Sequence, residues 1–280
     1  MGRGKTSWLE ATYRGLDNSS SYTKKVKLQK DTTRVIVGDV HGDVRGLRYL
    51  LQTIGAIDEN DQRLPGFYLI QLGDLLHCGH GEMIRDRATA EFAEDLFDEQ
   101  LAGNHELYHA YRLKTGEFQG MDKTVFPETQ SILSKWSREN KMKAATSIDG
   151  WLISHAGLHS SFIGEMSSDP GKAAQEINNL FIRRISERTE VPQFDWIGAA
   201  RSGQHAHGGI FWADFDELIA DTANPYKQIV GHTPQKEVRK VGDKLWCVDV
   251  GAALSRRVPA LVKNGEDGDW YPVVVFSPED

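Results

Sequence analysis

Apolar residues along this chain gather in short runs, and several of the runs stop at a polar residue beside a glycine. "RVIVGDVHGD" (34–43) is a β-branched run that closes at Gly38, and it leads into "VRGLRYLLQTIGA", where Val44, Leu47, Leu50, Leu51 and Ile54 recur at the spacing of one helix face. The pattern predicts strand, loop and helix. "GFYLIQLGD" (66–74) reads as a second buried strand and "EMIRDRATAEFAEDLF" as a second helix, so a βαβα order begins. "WLISHAGLH" (151–159), "QIVGHTP" (228–234) and "KLWCVDVGAAL" (244–254) are further apolar runs, with "GKAAQEINNLFIRRISER" between them at helical period. "PALVKNGEDGDWYPVVVFS" predicts a hairpin around a Gly-Asp turn. The mixture predicts an α/β fold of packed layers with an antiparallel portion.

Residues 1–33 hold few periodic apolar positions and read as a polar segment ahead of a single domain over 34–280. "GRGKT" near the start resembles the tail of a phosphate-binding loop but lacks the preceding strand and the further glycine that such a loop needs. Gly2 with Thr6 fits the permissive myristoylation pattern, against which a solvated start is the simpler reading. "SSDPGK" (167–172) is a loop between periodic stretches.

A 39% hydrophobic content is enough for a real core, and a net charge of −7 argues against a broad nucleic-acid or anionic-membrane surface. Cys78 and Cys247 are the only cysteines, no secretory leader or membrane-spanning run is visible, and the expectation is a cytoplasmic protein.

The polar residues at the ends of the apolar runs are the chemically informative ones. Asp39 and His41 follow the first strand, Asp74 the second; Asn104, His105 and Glu106 lie in "LAGNHE", His155 follows "WLIS" and His232 follows "QIVG". Loops at the carboxyl ends of strands in an α/β fold meet on one edge, so residues far apart in sequence converge there. Asp, His and Asn converging in this way suit a site for more than one metal ion.

The pieces "GDVHG", "GDLLHCG", "GNHE", "SHAGL" and "GHTP", in that order, resemble those of the calcineurin-like metallophosphoesterases, within them the branch of protein serine/threonine phosphatases and bacterial diadenosine tetraphosphatases. "GIFWAD" and "VDVGAA" extend the likeness. The resemblance implies one domain of two packed mixed β-sheets flanked by helices, a four-layer sandwich. It implies a first metal held by Asp39, His41 and a bridging Asp74, and a second held by Asp74, Asn104, His155 and His232. Asn104 and His105 would contact the phosphoryl group, and His105 would protonate the leaving oxygen. A carboxylate-bridged pair of divalent ions lowers the pKa of a shared water and clamps phosphoryl oxygens. Imidazole with carboxylate and amide oxygen suits Mn²⁺ first, with Fe or Zn²⁺ as alternatives.

One stretch departs from that pattern. Where the branch has Asp-Arg-Gly after the bridging Asp, this chain has His77-Cys78-Gly79. The resemblance therefore lacks its phosphate-forking Arg, and His77 becomes the candidate to orient His105. Arg85, Arg87, Arg112 and Arg201 are candidates to supply the missing cation, and Asp86 the missing carboxylate. Losing the fork shifts the balance toward diesters, which gain less from a bidentate cation. In contrast, Pro234, where many phosphodiesterases of the superfamily have a second His, favours the phosphatase-like branch. The expected partner is a phosphorylated small molecule, a nucleotide or a phosphoprotein, with hydrolysis of dinucleoside polyphosphates or cyclic nucleotides as the alternative activity. An inactive metal-binding interaction module is the alternative of another class.

Overall fold

The computed structural model describes residues 8–14, 21–76, 83–111, 127–139, 141–187 and 190–278. In chain order the strands are β1 (Trp8–Arg14), β2 (Ser21–Lys27), β3 (Thr33–Val37), β4 (Phe67–Gln71), β5 (Glu99–Leu101), β6 (Met142–Lys143), β7 (Ala145–Ile148), β8 (Trp151–Ser154), β9 (Lys227–Val230), β10 (Arg239–Val241), β11 (Leu245–Cys247), β12 (Arg257–Lys263) and β13 (Trp270–Phe276). The helices are α1 (Val44–Ile54), α2 (Met83–Ala93), α3 (Asn104–Tyr111), α4 (Pro127–Arg138), α5 (Pro170–Glu187), α6 (Pro192–Asp195), α7 (Phe215–Ala220) and α8 (Ala252–Ser255).

β1 and β2 form a separate antiparallel pair, running from Trp8 opposite Lys27 to Arg14 opposite Ser21, in a stretch whose polar composition does not predict strands. The remaining strands make two mixed sheets. The six-stranded sheet has the order β13-β12-β3-β4-β5-β6 and is parallel from β3 to β6, with β12 and β13 antiparallel. The five-stranded sheet has the order β10-β11-β9-β8-β7, parallel across β11, β9 and β8 and antiparallel at both ends.

The alternation of side chains along a strand explains the layers. Ile36, Ile70 and Leu261 of one sheet pack with Ile153, Ile229 and Trp246 of the other. Their neighbours Val35, Val37, Leu69, Ala260 and Val262 face the opposite way, onto Leu47, Leu50 and Leu51 of α1. Ala173, Ile177 and Phe181 of α5 belong to this same core, while Phe215 and Leu218 of α7 pack on Val230, Leu245 and Cys247. Helices thus cover the outer faces, as the resemblance implies.

α1 starts where Asp43 accepts the Gly46 N–H at 2.9 Å, and it stops at Gly55, whose φ of +79° is left-handed. This sharp start turns the chain at once after the first strand-end loop. No helix among the described residues is long and apolar enough to cross a membrane.

Candidate metal centre

Loops following β3 and β4 are tied to each other by backbone hydrogen bonds, and so are those following β8, β9 and β11. The Asp74 carbonyl accepts the N–H groups of Val40 and His41 at 3.0 and 2.9 Å, and the Leu75 carbonyl that of Gly42 at 2.8 Å. Gly231 donates to the His155 carbonyl and Val248 to that of Val230, both at 2.7 Å. His41, Asp74 and His232 take φ values of +50°, +49° and +66°. L-residues other than glycine enter this left-handed region at a cost of roughly 1–2 kcal/mol, so the surrounding contacts must hold them there. Two neighbouring glycines are required by close approach. A Cβ on Gly103 would stand 2.0 Å from Asp74 Oδ1, and one on Gly231 would stand 2.2 Å from Asp39 Oδ1.

The side chains converge on Asp74. His155 Nε2 lies 3.5 Å from Asp74 Oδ2, 3.0 Å from Asn104 Oδ1 and 3.2 Å from His232 Nδ1. Donor atoms about 2.0–2.2 Å from a shared ion stand about 3–3.5 Å apart in a tetrahedral or octahedral shell, so this donor set fits a divalent cation. All of these residues are buried. On the other side of Asp74 Oδ2, His105 Nε2 stands at 3.6 Å and His41 Nε2 at 3.9 Å, with His41 Nε2 4.0 Å from Asp39 Oδ2. Among the described residues, the groups able to hold a cation are His41, Asp74 and His105, and Asp74, His155 and His232; Asp74 belongs to both.

Every residue expected to bind metal is thus brought to one edge of the fold. Asp39 turns both carboxylate oxygens toward the His232 N–H, at 3.1 and 3.3 Å, and so also fastens the β9 loop. His105 meets His41 edge to face, with ring centroids 5.0 Å apart. His77, Cys78 and Arg112 lie outside the described residues.

Among the described arginines that the sequence raised, Arg201 reaches a ligand loop. Its Nη2 donates to the His232 carbonyl at 3.0 Å and to Thr233 Oγ1 at 2.8 Å, and its Nε pairs with Asp214 at 3.0 Å. Arg85 and Arg87 are on the exposed face of α2, where Arg87 pairs with Glu91. Asp86 is buried with Oδ1 against Gly42, on the His41 loop.

Glu106, named from sequence among the strand-end residues but given no role, and Asp249 are buried at the same centre. Glu106 closes "GNHE" and Asp249 lies in "VDVG", so an acid beside a strand end and a glycine was the available signal.

The protein groups alone set a lopsided electrostatic pattern. Burial opposes ionisation of Asp74, but His105, His155 and His41 together hold its carboxyl well below the usual carboxylate range. Burial, reinforced by Asp249 and Asp74, pushes Asp39 well upward. Burial and Asp74 push Glu106 to about 7. Burial, with His155 and Arg201 nearby, lowers His232 well below an ordinary imidazole, leaving it neutral and able to offer a lone pair. Crowded, buried carboxylates beside imidazole nitrogens are the donor chemistry of a divalent transition-metal site.

The geometry agrees with what comparison with known proteins finds. Two solved structures share the fold at 15% sequence identity. One, provisionally named a diadenosine tetraphosphatase, has a TM-score of 0.52, with 89% of this chain and 96% of that chain covered. The other is a protein serine/threonine phosphatase from Saccharomyces cerevisiae with similarity to human phosphatase PP5; its TM-score is 0.54, with 90% and 82% covered. A search of curated proteins finds no match. The calcineurin-like phosphoesterase family model matches residues 32–262, nearly the whole span from β3 to β12, and the chain belongs to that family.

Proposed function

We propose that this protein hydrolyses phosphoric esters at a site for two divalent metal ions. The observation that carries the proposal is the position of Asp74, whose carboxylate is common to both groups of metal-type donors. Asp74, Asn104, His155 and His232 would hold one ion, and Asp39, His41 and Asp74 the other; such a pair would supply an activated water and positive charge opposite the phosphoryl oxygens.

The chain's own groups do the rest. Asn104 and His105, at the start of α3, bind and orient the phosphoryl group. His105 gives its proton to the leaving oxygen, from a position with Nε2 3.6 Å from Asp74 Oδ2. His77, outside the described residues, is the candidate from sequence to orient His105 in place of the branch's carboxylate. Arg201 holds the His232 loop through its carbonyl and Thr233, and with Asp214 fixes that side of the site.

The substrate is a phosphorylated small molecule, a nucleotide or a phosphoprotein; dinucleoside polyphosphates and phosphoproteins are the classes named for the two structural neighbours. Mn²⁺ is the first choice of metal, with Fe or Zn²⁺ next. Loss of the forking Arg leaves phosphodiesters as accessible substrates beside monoesters. The test is to load the protein with Mn²⁺, measure bound metal, and compare p-nitrophenyl phosphate with its bis ester. Turnover of either with two ions per chain supports the reading. Two bound ions with no turnover of either ester sinks it in favour of a metal-binding interaction module.

A further inference from the structure

Glu106 follows the proposed proton donor in sequence and is fully buried, yet it is not among the residues that hold an ion or meet substrate in the reading above. Its carboxylate instead fills a socket of backbone N–H groups. Oε2 accepts from Asp74 and from Gly103, both at 2.9 Å, and Oε1 accepts from Leu76 at 3.1 Å. Asp74 and Leu76 belong to the loop that follows β4; Gly103 precedes Asn104 in the loop that follows β5. One side chain therefore fastens the loop of the bridging carboxylate to the loop of the Asn104 amide.

We infer that Glu106 is a positioning residue that holds Asp74 in register with Asn104, and thereby sets how the two ions share their bridge. The inference rests on the two-metal reading. Its physical basis is the match between socket and side chain. An ionised carboxylate is an acceptor at both oxygens, so it satisfies every N–H that points at it. A Gln could place its oxygen toward Asp74 and Gly103, but its NH₂ would then meet the Leu76 N–H donor against donor. An Asp is shorter by one methylene and cannot span both loops. The two loops already run close together at Gly103, where even a Cβ would stand 2.3 Å from the Asp74 nitrogen. The anchored N–H is also that of a left-handed residue, φ +49°, so the hydrogen bond to Glu106 opposes the relaxation that the backbone would otherwise favour.

The test compares the full-length wild type, Glu106→Gln and Glu106→Asp by Mn²⁺ titration calorimetry and by electron paramagnetic resonance of the Mn²⁺-loaded proteins. Wild type is expected to take two Mn²⁺ and to give the spectrum of an exchange-coupled pair. Glu106→Gln, with unchanged far-ultraviolet circular dichroism, is expected to bind the weaker ion about 10–100-fold less tightly and to give the signal of uncoupled ions. Glu106→Asp is expected to fall at least as far. A general structural role would lower thermal stability without uncoupling ions that are still bound. A variant with wild-type affinities and a coupled spectrum overturns this inference alone; a wild type that binds no Mn²⁺ overturns the two-metal reading and the inference with it. Should the variants fail to fold, hydrogen exchange on wild type decides. The amides of Asp74, Leu76 and Gly103 are expected to exchange slowly and together, and independent fast exchange overturns the inference.

Discussion

The two sides of Asp74 differ in how far the protein completes them by itself. On one side Asn104, His155 and His232 are buried, and their donor atoms already stand 3.0 and 3.2 Å apart around His155 Nε2. On the other side His41 and His105 are partly exposed, and the nearest donor separations are 3.6–4.0 Å. The closed side draws on loops after β5, β8 and β9, which neighbouring strands and the 210–215 segment cover; Trp212, for example, meets the His232 ring edge-on at 5.9 Å. The open side faces the solvent from which a substrate must come. A buried half and an accessible half suit a reaction in which preorganised groups fix charge while a substrate enters and departs.

The largest effect should come from the residue that belongs to both halves. Asp74→Ala should lower kcat/KM by about 10⁴-fold and remove both ions, because several kcal/mol of charge stabilisation disappear together. Near-normal turnover by a protein that still carries two ions would refute the site. His105→Ala, on the open side, should slow alkyl phosphates by about 10²–10⁴-fold but p-nitrophenyl phosphate by less than about tenfold, since a good leaving group hardly needs a proton. Equal losses on both substrates would remove His105 from the proton-donor role.

Much of this contrast was legible in the sequence. Strand-end positions of Asp39, Asp74, His155 and His232 follow from apolar runs that stop beside a glycine, and the parallel strands β3, β4, β8 and β9 bear that reading out. The hairpin of β12 and β13 and the helix α5 also follow from periodicity. The three-residue β5 and the two-residue β6 are too short to show a period, and their pairing comes from the sheet rather than from their own residues. Glu106 was hidden for another reason. An acid next to a histidine motif looks the same in one dimension whether it meets solvent, metal or backbone; its bond to the Gly103 N–H is a local helix-start contact, and only the fold brings the N–H groups of Asp74 and Leu76 to it. Arg201 could be named from sequence but not chosen over Arg85 or Arg87, because its approach to His232 depends on a contact across 31 residues.

The difference between the halves sharpens if one ligand from each is removed. His155→Ala should weaken one ion by at least about 100-fold and leave a protein with a single ion at Mn²⁺ concentrations that saturate wild type. His41→Ala should weaken the other ion less, with stoichiometry restored at high Mn²⁺, because a partly exposed position admits water as a replacement donor. Metal analysis after gel filtration checks both. Identical losses would show that the halves are not unequal in the way their burial implies.

The smallest effect is on stability, and it isolates the shared acidic centre from catalysis. Burial and the neighbouring Asp74 raise Glu106 from 4.5 to about 7, and burial also raises Asp39 and Asp249. A carboxyl whose folded pKa lies above its unfolded one keeps a proton in the folded state that the unfolded chain releases. Its contribution is therefore complete below about pH 4.5 and is lost as pH rises through about 7. Asp74 has the opposite sign, held low chiefly by His105 and His155 against its burial, and its contribution is lost only as pH falls below 3.8. His155, raised by Asp74 despite its burial, adds to this fall, and His232, lowered by burial, opposes it below about pH 6.5; the buried acids outnumber it, so protein stripped of metal by a chelator should become less stable between pH 5.5 and 8, by on the order of a few kcal/mol. Added Mn²⁺ should flatten the slope, because a cation favours the ionised carboxylates that burial disfavours. Urea unfolding at the two pH values, with and without Mn²⁺, is the measurement. A slope of the same size in both conditions would mean that the buried acids of this centre do not answer to metal, and the two halves would then have no ion to share.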